Sequence, residues 1–142
     1  MKKNVLFCIV FILTIPLVYS LGLASDYFPD DTIPLAPGAF FEYRVNVQNG
    51  AGYPIFVELL LNDPDKIVAL NESRLTAALP DRSYDTQIPL FLSIPWYAKE
   101  GTIYSVSYLV QPVSEPGGGG IPFMISLSKD FKVNVTETGF IA

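Results

Sequence analysis

From Ala39 onward the chain alternates apolar and polar residues at a period of two, with no stretch of useful length at the 3.6-residue period of a helix. In "AFFEYRVNVQNG" Phe41, Tyr43, Val45 and Val47 share one face and Glu42, Arg44, Asn46 and Gln48 the other, and the pair Asn49-Gly50 ends the run. "YPIFVELLLNDPD" places Ile55, Val57, Leu59 and Leu61 on one face and closes on turn-forming side chains at Asn62, Asp63 and Asp65. "KIVAL" and "SRLTAAL" read as shorter strands separated by a turn at Asn71, the second with Leu75, Ala77 and Leu79 at period two. "TQIPLFLSIP" sets Ile88, Leu90, Leu92 and Ile94 on one face, and Pro89 marks an edge, because proline has no N–H to give a ladder. "GTIYSVSYLVQP" and "PFMISLSKDFKVNVTE" complete a set of about seven strands. Short strands at this spacing predict an all-β chain folded as a single β-sandwich.

Two segments precede the strands. "MKKNVLFCIVFILTIPLVYSLGLAS" has the basic start, apolar run and small-residue end of a secretory signal peptide. Cleavage is expected after Ala24, with Gly22 and Ala24 as the small residues, and Ser20 is a second possible stop. An uncleaved anchor is the rival, opposed by Thr14, Pro16 and Ser20. Residues 25–36, "SDYFPDDTIPLA", read as an extended N-terminal arm, and 37–142 as the sandwich. The arm either completes its own sheet, the plainer expectation, or adds a strand to a neighbour's edge. Gly117 to Gly120 raise the prospect of a linker, but only one strand's worth of chain follows, so this is a loop inside the domain.

The residues "APGAFFEYRVNVQNGAGYPI" and "IPLFLSIPWYAKEGTIYSVSY" resemble the immunoglobulin-like modules of archaeal and bacterial secreted and surface proteins, including the CARDB-like adhesion modules. The likeness covers roughly residues 34 to 136 and implies a fold rather than an activity. Such proteins often continue into a C-terminal membrane helix. This chain stops at "ETGFIA", so retention by that end is not expected, and membrane attachment would require the signal segment to be kept.

Composition narrows the chemistry. The chain has no histidine, and its single cysteine, Cys8, lies in the signal segment. Imidazole catalysis, thiol catalysis and zinc-thiolate sites are therefore absent from the expected mature chain, which has to hold together by burial without disulfides. Without Lys2 and Lys3 the balance is 7 basic against 14 acidic residues, a surface that repels nucleic acid and anionic lipid. Asp81 and Asp85 flank a turn, where aspartates ordinarily bond the backbone. No catalytic residue, cofactor or resident metal is expected, and the chain is read as a non-enzyme. Asn62, Asp63 and Asp65, and likewise Asp26, Asp30 and Asp31, lack the ligand spacing of a dedicated calcium loop.

What remains is recognition. Trp96 and Tyr97 follow Ile94-Pro95 at a strand end. They either close the core, the plainer expectation, or form a recognition surface for a protein or a cell-surface glycan, together with Gly117, Gly118, Gly119 and Gly120. Phe56, Leu60 and Phe91 sit on faces that should be wet and suggest a self-association surface. Asn71 and Asn134 begin glycosylation sequons. The expected protein is an extracellular or cell-surface structural or adhesive module. A carbohydrate-binding module and a filament subunit joined by its arm are the alternatives.

Overall fold

The computed structural model describes residues 21–69, 74–113 and 126–140. Among these residues eight strands run in chain order: β1 (Leu21–Ser25), β2 (Thr32–Leu35), β3 (Phe40–Asn49), β4 (Ile55–Asn62), β5 (Arg74–Leu79), β6 (Ser83–Ser93), β7 (Ile103–Val113) and β8 (Leu127–Val135). A 3-10 turn, Pro29–Asp31, joins β1 to β2. The strands make a three-stranded sheet in the order β1-β3-β6 and a five-stranded sheet in the order β2-β8-β7-β4-β5. All pairings are antiparallel except β2 with β8. The two sheets enclose one apolar core, and the architecture is an immunoglobulin-like β-sandwich.

The inward faces are those the alternation assigns. Tyr43, Val45 and Val47 of β3, Ile55, Val57 and Leu59 of β4, and Ile88, Leu90 and Leu92 of β6 are buried. Tyr108 of β7 and Phe131 of β8 join them, and three rings meet at the centre. Tyr43 lies on Phe131 with centroids 4.3 Å apart and planes 21° from parallel, and Tyr108 stands 6.4 Å from each. Because Tyr43 belongs to the smaller sheet and Phe131 to the larger, this stack ties one layer to the other.

β6 is an edge, as its proline requires. Phe91 and Ser93 turn their backbone groups outward, where Ala69 N–H donates to the Phe91 carbonyl (2.6 Å) and Ser93 N–H to that of Ile67 (2.7 Å). Pro89 has the same parity, so its missing donor falls on the side of β6 away from β3. Of the segment read as the strand "KIVAL", the described residues 66–69 form no strand. Only Val68 makes a bridge, to Leu92. Lys66, at φ 54°, ends the turn that Asp63 caps by accepting the Val68 N–H (2.7 Å), and the chain crosses there from one sheet to the other.

Two N-terminal segments form strands. Within the stretch read as an arm, β2 pairs with β8 in its own sheet, from Thr32 opposite Lys132 to Leu35 opposite Val135. Leu21–Ser25, whose first four residues were read as the end of the signal segment and whose last as the start of the arm, pairs with β3. Gly117 to Gly120 and Asn71 lie outside the described residues. The strands that flank the glycine run, β7 and β8, are hydrogen-bonded neighbours in the five-stranded sheet.

Truncating the central stack should be expensive. Tyr43→Ala or Phe131→Ala is expected to lower stability by about 3–5 kcal/mol in urea unfolding, and the double variant by less than the sum. Burial also pushes the Tyr108 phenol far above the ordinary value of 10.0. Below that pH both folded and unfolded chains keep the proton. Above it only the unfolded chain releases it, so stability falls by up to about 1.4 kcal/mol per pH unit. Alkaline unfolding curves of Tyr108→Phe are expected to be flatter than those of the parent chain above pH 10.

Candidate functional site

One end of the sandwich is built from tight turns. Ala39 N–H donates to the Ala36 carbonyl (3.1 Å) around Pro37-Gly38, with Gly38 at φ 76°, the pairing a type II turn takes. Facing it, Ala98 N–H donates to the Pro95 carbonyl (3.0 Å), which makes Trp96 and Tyr97 the two central residues of a second turn. Gly38 N–H bonds the Pro95 carbonyl (3.2 Å) and Ile94 N–H the Ala39 carbonyl (2.9 Å), so the two turns brace each other. A third turn, Lys99 to Thr102, is pinned to β8 by Gly101 N–H on the Val135 carbonyl (2.8 Å) and Val135 N–H on that of Thr102 (2.9 Å).

The braced turn points its aromatics outward. Trp96 is 82% exposed and Tyr97 69% exposed. This corrects the expectation that one of these rings closes the core. Tyr43, Phe131 and Tyr108 already fill the centre, and the apex of a two-residue turn aims its side chains away from the strands it joins. The two rings touch edge to face, centroids 5.5 Å apart and planes at 88°, forming a ridge rather than a flat platform. Tyr104, at the start of β7, belongs to the same end. Its phenol is raised by desolvation and then by the negative field of Asp65 and Tyr97. Phe40, half exposed, begins β3 just after the Pro37-Gly38 turn and stacks on Phe91 at 6.0 Å.

Other expected site residues do not gather here. The strand ends that flank Gly117 to Gly120, Val113 and Leu127, lie at the opposite end of the sandwich, where Val113 pairs with Phe56 near the start of β4. One site does not take in both the Trp96 ridge and those strand ends. Phe56, Leu60 and Phe91 form no common surface either. Phe56 and Leu60 lie on the outer face of the five-stranded sheet and Phe91 on that of the three-stranded sheet, and all three are half-buried. Period-two alternation identifies a strand's outer face without saying which sheet owns the strand. Asn134 lies on the outer face of β8, partly covered between Pro34 of β2 and Ile103 of β7.

The acidic candidates serve the backbone and ion pairs. Asp26 accepts the Arg44 N–H (3.1 Å) and pairs with its guanidinium (3.3 Å), Asp31 pairs with Lys129 (3.4 Å), and Asp63 caps its turn. Among the described residues no group of three or more acidic, histidine or cysteine side chains is placed to hold a metal. Asp81 and Asp85 are exposed beside the turn that leads into β6. The sequence reading missed Asn49, treated there only as a turn former. It is fully buried, its amide nitrogen donating to the Tyr53 and Pro80 carbonyls (3.0 and 2.9 Å) while its oxygen accepts the Ala51 N–H (2.9 Å). A polar residue continuing the inward parity of Val45 and Val47 was the signal available.

No protein-family model matches the chain, and no curated protein matches it either. Solved structures do. One chain of the complex formed between zinc 2-glycoprotein and prolactin inducible protein from human seminal plasma superposes with a TM-score of 0.61 at 12% identity, over 87% of this chain and 100% of that one. Native alpha-2-macroglobulin from Escherichia coli, spanning domain MG7 to the C-terminus, matches with a TM-score of 0.53 at 13% identity, over 82% of this chain and 17% of that one. Likeness at this level of identity shows the fold alone. The resemblance to CARDB-like modules has no family match behind it, and the class that stands is the immunoglobulin-like sandwich.

Gly38 sets the floor beneath the ridge. A methyl there would make ordinary contact with Trp96 (3.7 Å), so the penalty comes from the backbone at φ 76°. Gly38→Ala is expected to destabilise the chain by about 1–2 kcal/mol in urea unfolding and to alter Trp96 fluorescence in the folded state.

Proposed function

We propose that this chain is a secreted or cell-surface immunoglobulin-like module that works by non-covalent contact, inserting the Trp96–Tyr97 ridge into an apolar socket on a protein partner. The observation that carries the reading is the exposure of both large aromatics on a turn closed by its own backbone hydrogen bond and braced by two more to the facing turn. A tryptophan on a braced backbone loses little main-chain freedom on binding and brings a large apolar area with it, the properties of an interface anchor. The perpendicular rings favour a protein over a sugar, because a pyranose stacks on one flat face and a ridge fits a pocket. The similar chain in the zinc 2-glycoprotein complex belongs to a protein–protein assembly, which is compatible with this use of the fold. The filament alternative draws no support from β2, whose pairing is spent on β8 of the same chain.

The signal-like start supports an extracellular setting, and the absence of histidine and of cysteine after residue 8 supports a binding role over catalysis. The test is adsorption of labelled protein to cells of the producing organism. Trp96→Ala and Tyr97→Ala are each expected to weaken binding about thirtyfold, corresponding to roughly 2 kcal/mol, without changing the melting temperature. Protease treatment of the cells should abolish binding. Loss after glycosidase treatment instead would establish the carbohydrate-binding alternative, and unchanged binding by both variants would end the proposal.

A further inference from the structure

The apolar start of the chain serves two purposes, and the structure separates them. Leu21–Ser25 is a full strand, paired antiparallel with β3 from Leu21 opposite Asn49 to Ser25 opposite Val45. Leu21 and Leu23 pack against the core, and Gly22 sits so close to Gln48 that an added Cβ would lie 2.7 Å from its side-chain oxygen. Ser25 accepts a hydrogen bond from the Lys129 ammonium of β8. Beyond the strand, Asp26 N–H donates to the Arg44 carbonyl (3.2 Å), continuing the pairing.

Cleavage after Ala24 would remove four of the five β1 residues. It would strip the ladder partners from one edge of β3, the central strand of the smaller sheet, and uncover the apolar surface under Leu21 and Leu23. An open, apolar central strand invites aggregation. The leader has no need of these residues. Val5 to Val18 already fits the roughly 7–15-residue apolar stretch of a signal peptide, so the apolar core of the leader is complete before β1 begins. Ser20, with Val18 two positions before it, gives the peptidase a small residue at the cut.

We infer that the chain is processed between Ser20 and Leu21, so that the mature protein begins with strand β1. The step is hydrolysis of that peptide bond by a signal peptidase, water supplying the hydroxyl of the Ser20 carboxyl and a proton to the Leu21 amine. The peptidase meets the chain before it folds, so the fold does not steer the enzyme. It determines which product is a complete sandwich. This inference rests on the proposed secretion, and the experiment separates the two.

The full chain is expressed in a secreting host, and the product is examined by intact mass and N-terminal sequencing. A secreted chain beginning at Leu21 is expected. One beginning at Ser25 overturns the inference and leaves secretion standing, while a retained chain that keeps Met1 overturns both. Ser20→Leu should block or displace the cut, and Ala24→Leu, at an exposed β1 position, should leave the N-terminus at Leu21. The reverse pattern, with Ala24→Leu alone blocking processing, contradicts the inference independently of whether either variant folds well.

Discussion

The contact of Tyr43 with Phe131 across the space between the sheets is the interaction on which the rest of the sandwich depends. A domain of this kind has to hold two layers together by burial, and no cysteine follows Cys8 to staple them. The ring of β3 lies on that of β8 while Tyr108 of β7 braces both, so three strands from two sheets converge on one aromatic cluster. Around it the aliphatic positions of β4 and β6 complete a single core. The consequence reaches the surface, because a centre already filled by these rings has no place for another large aromatic. Trp96 and Tyr97 are left outside.

The second constraint is the management of edges. Among the described residues the smaller sheet has three strands, so its central member, β3, is protected only while β1 and β6 are both present. One flank is a strand that lacks a donor on its outer side at Pro89. The other is made from residues that a membrane-targeting segment would also use. In the larger sheet β2 closes the β8 edge, aided by a bridge from Phe140 to Leu35 and by Gly139, which lies against the Leu35–Ala36 backbone where a Cβ would come within 2.5 Å. The N-terminal quarter of the described chain thus supplies one edge strand to each sheet.

What the sequence revealed and what it concealed follow from the same physics. Alternation along β3, β4, β5 and β6 assigned inner and outer faces correctly, since a half-buried strand has only two faces. Pro89 marked an edge because the missing donor is a property of the residue itself. Alternation carries no information about sheet membership, and for that reason Phe56 and Phe91 looked like one surface when they are on opposite sides. "KIVAL" had strand composition, but Asp63 and Lys66 turn the chain there, and among its described residues only Val68 makes a bridge. β1 was hidden because leucine, glycine and alanine serve an edge strand and a leader equally well. The outward aim of Trp96 depended on a turn whose bracing partner, Gly38, lies far away in the chain.

The account's central claim is that the aromatic end of this sandwich is displayed to solvent rather than folded into the core, and the only tryptophan makes that directly readable. The measurement is the fluorescence of the folded protein, with acrylamide quenching, before and after unfolding in urea. The account predicts emission already at the long wavelength of a solvated indole, readily quenched, and little shifted by unfolding. Short-wavelength, poorly quenched emission that moves to long wavelength only on unfolding would place Trp96 inside the protein and contradict the account.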